Sequence, residues 1–210
     1  MSTMTETLRH EEALFIPSED TTRTHVPKVE GDYLGHITET RTIVREFKTN
    51  DGRNVKARIF NFKVEVAHEN ATREYTFTDR NGDEHTTSGE PYVGWKVNAR
   101  GVFRFLEPKK GDTFESNSEN NVAYLRFCQA LGLTIETTKR EVNGKTLDVQ
   151  ILPTLEESDI NGRPVVAVVG RDKDWTNDEG ETMPSFRVKF IKQWKEGKRL
   201  ATTTTNDLPF

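Results

Sequence analysis

From Gly31 onward, apolar and polar side chains alternate with a period of two, which is the pattern of half-buried β-strands. The second run is typical, because Phe60 and Phe62 alternate with polar residues. The run over residues 73–87 contains an Asn-Gly pair, which is a strong signal for a two-residue hairpin turn. The predicted strands, of which the third segment is a hairpin, are residues 33–45, 55–68, 73–87, 93–106, 164–170 and 185–195.

One segment breaks this alternation and predicts a helix within residues 117–132. Asn117 or Ser118 can cap its start, and Gly132 can end it. Its apolar stripe, at helical spacing, consists of Tyr124, Leu125, Phe127, Cys128 and Leu131.

The order of these elements predicts an all-β chain that closes into a small β-barrel. We expect about five strands in the barrel, with one helix between strands three and four, which is the OB-fold arrangement. A β-sandwich would show the same alternation, so it is mainly the position of the helix that favours the barrel over the sandwich.

The two ends of the chain differ from this body. Residues 1–27 hold five acidic and two basic residues around one apolar cluster, Leu14-Phe15-Ile16. We expect a flexible arm there that can dock on the body or on another subunit. Residues 201–210, rich in threonine, predict a flexible partner-binding tail. The predicted folded domain is therefore 28–200.

Composition limits the class of protein. Hydrophobic residues are 33% and charged residues 30%, which predicts a thin core and large loops. The single cysteine, Cys128, excludes an intramolecular disulfide and indicates a reducing compartment. With neither a membrane-length apolar run nor a signal pattern, we expect a soluble protein in the cytoplasm, the host's if a phage encodes it, with no membrane partner.

Net charge is −4, which argues against strong non-specific attraction to nucleic acid. Most of the acidic excess lies in the two ends, so the body is close to neutral. A neutral body can still carry a basic stripe if its strands alternate apolar and basic faces.

The sequence offers little for catalysis or cofactors. The five histidines show no metal-ligand spacing with Cys128 or with one another, and the phosphate-binding loops and nucleophile elbows of common enzymes are missing. We therefore expect no enzyme, no cofactor and no metal site. A metal-dependent nuclease remains an alternative, based on one acidic loop: Asp172, Asp174, Asp178, Glu179 and Glu181.

Basic side chains alternate with apolar ones on several predicted strands. Cations along a groove can hold the phosphates of a single strand, and flat rings can stack its unpaired bases. Ordinary solvation of a barrel exterior would give the same alternation. The basic candidates are Lys63, Lys96, Arg100, Arg104, Arg187 and Lys189.

Five aromatic residues are candidates for stacking on bases: Tyr75, Phe77, Tyr92, Trp95 and Trp175. Trp175 stands out because it lies in a polar loop with little apolar company. Tyr75 and Phe77 share a face of the predicted hairpin, where they either pack on the barrel or project as a finger. Trp95 follows the apolar register of its strand and is expected in the core.

Three stretches of the body carry a resemblance. They are residues 30–37 (Glu-Gly-Asp-Tyr-Leu-Gly-His-Ile), 124–132 on the helix, and 162–170 leading to Phe186-Arg187-Val188. They resemble phage-encoded OB-fold proteins that bind single-stranded DNA, over about residues 28–195. The resemblance implies an OB-fold and a role in phage DNA replication or recombination, and it supplies no list of DNA contacts.

The last four residues, Asp207, Leu208, Pro209 and Phe210, carry a second resemblance. They are similar to the C-terminal tip of bacterial single-stranded DNA-binding proteins, which end in Asp-Ile-Pro-Phe or a close variant. That tip recruits replication and repair enzymes, so the resemblance implies a partner-binding role for these residues. A pocket that is apolar beside an Arg or Lys could hold such a tip.

The sequence thus predicts a sequence-tolerant single-stranded DNA-binding protein that acts in phage DNA replication or recombination and recruits other proteins through its tail. A homo-oligomer is compatible with it. A virion or scaffold β-domain that binds no DNA is the first alternative, and the metal-dependent nuclease is the second.

Overall fold

The computed structural model describes residues 27–48, 52, 54–79, 81–106, 121–142, 144–176, 178 and 180–201. The predicted N-terminal arm, except for Pro27, and the predicted tail, except for Ala201, lie outside the described residues. The predicted partner-binding residues Asp207 to Phe210 lie outside them as well.

The described residues are mostly β-structure, which confirms the all-β class. The first six strands are β1 (Gly31–Lys48), β2 (Asn54–Val66), β3 (Glu74–Thr78), β4 (Glu84–Ser88), β5 (Lys96–Asn98) and β6 (Val102–Phe105). The others are β7 (Thr137–Val142), β8 (Lys145–Gln150), β9 (Pro164–Arg171), β10 (Trp175–Thr176), β11 (Thr182–Met183) and β12 (Phe186–Gln193). Each predicted strand segment contains one or two of them.

Six strands form one antiparallel sheet in the order β12-β9-β1-β2-β5, with β6 also paired to β2. Three hairpins, β3–β4, β7–β8 and β10–β11, pair separately from it. The hairpin predicted within residues 73–87 is β3–β4. Residues 137–150, which the sequence analysis leaves without strands, form the exposed hairpin β7–β8.

The sheet is not closed into a barrel, which corrects the prediction of a closed one. Among the described residues, its two ends meet through a single parallel bridge, Ala99 to Val188. The predicted strand 93–106 is interrupted at Arg100 and Gly101. Its second half, β6, pairs with β2 but has no backbone bridge to β12. Gly101 lies directly on β2, because a Cβ added there would be 2.5 Å from Ile59 Cγ2.

The helix predicted within 117–132 is present as α1 (Val122–Ala130), and Gly132, which follows it, has a φ of 73°. A second helix, α2 (Glu157–Ile160), has a capping box at its start. Among the residues that the structure describes, no helix is both long and apolar enough to cross a membrane.

The core lies between the inner face of the sheet and α1. Phe60 stacks on Tyr124 with ring centroids 5.6 Å apart, and Phe127 lies 5.4 Å from Phe62. Burying each such ring stabilises the fold by roughly 1.5–3 kcal/mol. Because α1 packs through this face, it fixes the inner boundary of the gap between β6 and β12.

A polar residue joins the β3–β4 hairpin to the sheet. Asn70 is fully buried, and its amide exchanges hydrogen bonds with the backbone of Leu34 and accepts one from the Tyr75 hydroxyl at 2.9 Å. Tyr75 in turn stacks on Tyr33 with centroids 4.5 Å apart. Tyr75 therefore anchors the hairpin in the core, while most of the other residues of β3 and β4 are exposed.

Candidate functional site

Two of the predicted cations belong to a charge-balanced group, here called the Glu39 cluster: Glu39, Lys63, Glu65 and Lys96. Lys63 Nζ lies 2.6 Å from Glu39, and Lys96 Nζ lies 3.6 Å from Glu65 and 4.0 Å from Glu39. The hydrogen bond from Lys63 lowers the pKa of Glu39. Neighbouring strands supply this pairing, since Lys63 lies opposite Glu39 on β1 and Glu65 lies opposite Lys96 on β5.

Three other predicted cations, Arg100, Arg187 and Lys189, surround Asp172, and the four residues are here called the Asp172 cluster. Arg100 and Arg187 contact the two carboxylate oxygens of Asp172 at 3.0 and 2.9 Å, and Lys189 Nζ lies 3.9 Å away. The hydrogen bond from Arg100, followed by the charge of Arg187, lowers the pKa of Asp172. One carboxylate cannot neutralise three cations, so this cluster keeps a positive excess.

The two clusters share the outer surface of the sheet where β5 approaches β12. Asn98 pairs with Lys63 across β2 and precedes Arg100 by two residues. The bridge from Ala99 to Val188 places the residues flanking Val188, which are Arg187 and Lys189, beside them. Five of the six predicted cations therefore lie near one another, as the sequence analysis requires for a common surface.

Arg104, the sixth predicted cation, lies apart from the others. It is on β6, with its guanidinium 5.6 Å from the Tyr124 ring centroid and one N–H donated to Thr154 Oγ1 at 3.2 Å. This half-buried position suits packing beside α1 more than contact with a ligand.

The open edge of the sheet forms a groove of about 780 Å³ between β6, β12 and α1, here called the seam groove. Among the described residues, its lining includes three cations, Arg100, Arg126 and Lys189, and no acidic residue. Its apolar lining includes Phe62, Phe103, Phe105, Phe127, Phe190 and Ile191.

Sequence reasoning missed four of these residues as site candidates: Phe103, Phe105, Arg126 and Phe190. The apolar register of β12 assigns Phe190 to the core, yet it is 56% exposed, because the strand pairing shifts by one residue between Val188 and Phe190. The interruption at Gly101 similarly brings Phe103 to the surface of the groove. An Asn-Gly-type turn is recognisable in a sequence, whereas a bulge of this kind leaves no comparable signal.

The predicted stacking residues differ in exposure. Trp175 is 55% exposed and lies three residues after Asp172, in the connection from β9 to β12. Tyr75 and Tyr92 are buried in the core, which covers their rings and leaves no face open to a base. Phe77 is half-buried and stacks on His85 at 5.4 Å in the β3–β4 hairpin.

Two carboxylates of the acidic loop pair with arginines. Asp172 belongs to the cluster described above, and Asp174 pairs with Arg171 at 2.7 Å, which lowers its pKa. Across the described part of the chain, no three His, Cys, Asp or Glu side chains are grouped closely enough to hold a metal ion. Residues 177 and 179 of this loop lie outside that part.

No protein-family model, curated protein or solved structure matches this chain. The resemblances to phage OB-fold proteins and to the tips of bacterial single-stranded DNA-binding proteins therefore stay predictions. The seam groove and the Asp172 cluster are the features of the described residues that bear on function.

Proposed function

We propose that this chain is a non-enzymatic, sequence-tolerant single-stranded DNA-binding protein that acts in phage DNA replication or recombination. The single observation that carries the proposal is the seam groove, in which exposed rings lie beside cations that outnumber the one carboxylate they contact. That combination suits a chain that is both anionic and rich in flat apolar groups.

An OB-type topology is part of the proposal. Counting β5 and β6 as one interrupted third strand gives the order 5-4-1-2-3, with the helix α1 between strands three and four. Strands three and five are parallel where Ala99 meets Val188. Both features are those of the OB-fold, a partly open barrel that binds oligonucleotides on strands two and three and on the loops after strands one and four. The seam groove is then the open side of that barrel.

The rings of the groove would stack on unpaired bases. Phe103 and Phe190 are the exposed ones, and Trp175 projects from the loop after the fourth strand of the OB count. Each base stacked on such a ring contributes roughly 1–3 kcal/mol. A duplex keeps its bases stacked on each other, so these rings favour single strands.

The cations would hold the phosphates. Arg100, Arg187 and Lys189 compete for one carboxylate, and Arg126 has no acidic partner among the described residues. Contacts of this kind read no base edges, which makes the binding tolerant of sequence. The tip Asp207 to Phe210 would recruit replication or recombination proteins, as the bacterial tips it resembles do.

The test is a titration of a fluorescein-labelled dT oligomer with the full chain, followed by anisotropy at about 50 and 200 mM salt. We expect binding at low salt that weakens at high salt, by a log–log slope of about 0.7 per phosphate contact. The matched control removes two exposed cations from the β7–β8 hairpin, Lys139→Gln with Lys145→Gln, and leaves affinity within about twofold. Failure to bind at low salt, or equal affinity for a duplex of the same length, contradicts the proposal.

A further inference from the structure

We propose that the seam groove is also the docking site for an acidic, apolar segment of the chain's own N-terminal arm, residues 11–20. This segment reads Glu-Glu-Ala-Leu-Phe-Ile-Pro-Ser-Glu-Asp. The inference rests on the proposed function only in that DNA would compete with the arm for the groove.

Complementarity of charge and polarity selects this segment. Four acidic residues flank three consecutive apolar ones, Leu14, Phe15 and Ile16. The groove shows the reverse arrangement, with an apolar lining and three cations, Arg100, Arg126 and Lys189. Apolar side chains would fill the groove while the carboxylates reach the positive rim.

The edges of the groove suit an extended segment. β6 pairs with β2 along one edge, and on its other edge the described partner is the Asn121 side chain, which bonds to the backbone of Phe105. β12 pairs with β9, and its described backbone bridge on the other edge joins Val188 to Ala99, the residue after β5. A strand edge of this kind can accept an added strand through its backbone, with alternate side chains directed into the groove.

The arm can reach the groove within one chain. Pro27 is held by the Tyr92 hydroxyl at 2.9 Å, and Lys28 Nζ lies 5.4 Å from the Trp95 ring centroid. Trp95 precedes Ala99 of the groove by four residues, about 13 Å of extended chain. Residues 17–26 can span up to about 33 Å, so the distance leaves ample slack.

Two other acidic segments of this chain fit the groove less well. Residues 107–120 carry four acidic side chains but also two basic ones, so their net charge is half that of residues 11–20. The tip Asp207 to Phe210 carries a single acidic side chain, set among threonines and Asn206, whereas the arm segment carries four. The groove has three cations, of which Arg100 and Lys189 share one carboxylate, that of Asp172. The arm is therefore the occupant that the charges favour.

Photocrosslinking of the full chain tests the docking directly. Phe15 is replaced by p-benzoylphenylalanine, and crosslinked peptides are identified by mass spectrometry without DNA. We expect most crosslinks in peptides that carry Phe103, Phe105, Arg126 or Phe190. The same label in place of Thr3 serves as the control and should yield few of them. Crosslinks confined to other surfaces, or a higher yield in the groove from a label in place of Phe210, overturn the proposal.

An equimolar mixture of isotopically heavy and light chains separates docking within a chain from docking on a second copy. Crosslinks should join peptides of the same isotope, and a majority of heavy–light pairs would overturn docking within one chain.

Competition with DNA is tested separately, so that the two proposals can fail independently. An excess of dT oligomer should reduce the groove crosslinks severalfold, and Phe15→Ser should tighten dT binding about two- to tenfold, because the arm no longer occupies the groove. If dT binds and no groove crosslinks form, the arm proposal fails and the DNA-binding proposal stands. If crosslinks form and dT neither binds nor displaces them, the DNA-binding proposal fails instead.

Discussion

The Glu39 cluster and the Asp172 cluster occupy the same outer surface, yet they differ in charge balance. In the first, two lysines face two glutamates from neighbouring strands. In the second, three cations converge on one aspartate. Exposed cations of the two clusters would look alike in a sequence, but only those of the second have charge left for a ligand.

The two clusters also differ in what lies beside them. The Asp172 cluster shares Arg100 and Lys189 with the seam groove, whereas no residue of the Glu39 cluster lines it. Cations and rings are therefore combined on one side of the surface only. DNA binding should therefore depend on the Asp172 cluster more than on the Glu39 cluster.

The largest effect is expected from the ring beside the Asp172 cluster. Phe190→Ala should weaken dT binding about 5- to 150-fold, since a stacked base contributes roughly 1–3 kcal/mol. The ring is 56% exposed, so its removal should cost the fold little. Anisotropy with labelled dT measures the affinity.

Leu147→Ala is the matched control for this variant, because Leu147 is 47% exposed on the β7–β8 hairpin, outside the main sheet. It should leave dT affinity within about twofold. Equal losses from both variants would mean that exposed apolar surface, not the groove, governs binding.

A paired comparison of cations should give the next largest effect. Arg100→Gln with Lys189→Gln should weaken dT binding about 3- to 30-fold and reduce the salt slope by about 1.4, as expected for two lost phosphate contacts. Lys63→Gln with Lys96→Gln removes the same charge from the Glu39 cluster. Its effect should be smaller, since those lysines already face carboxylates. Equal effects would show that local pairing does not select the binding cations.

The difference between the clusters also separates what the sequence can predict from what it cannot. Alternation along β2 and β12 predicts the strands and the exposure of Lys63, Arg187 and Lys189. It carries no information on which carboxylate faces each cation, because Glu39 comes from β1 and Asp172 from the end of β9. Pairing between strands distant in sequence decides that.

The groove itself could not be predicted for a related reason. It exists because β6 leaves β12 after Gly101 and because the register shift at Lys189 turns Phe190 outward. Strand period alone assigns these rings to the core. The strands of residues 137–150 are not predicted at all, because an exposed hairpin has little apolar alternation to reveal it.

Asp172→Asn should produce a smaller effect of opposite sign. Removing the carboxylate releases Arg100, Arg187 and Lys189 and eliminates a negative charge beside the bound phosphates, so dT affinity should rise about two- to fivefold. Because its pKa is lowered in the folded chain, Asp172 stays ionised until the pH falls below the ordinary range of aspartate, and the gain should persist across neutral pH. A loss of affinity would mean that Asp172 positions the cations rather than masking them.

The smallest effect is expected on the reactivity of the Cys128 thiol. Its reaction rate shows whether variants at either cluster keep the same core. Its side chain is fully buried on α1, and burial raises the pKa of the thiol to about 11. At pH 8 only about one thiol in a thousand is then ionised, and that fraction rises roughly tenfold per pH unit. The native chain and both double variants should therefore react with a disulfide reagent at equally slow rates, followed by absorbance. Fast labelling in the Arg100 and Lys189 variant alone would mean that its loss of dT binding comes from a loosened core. The difference in binding between the two clusters would then have no electrostatic meaning.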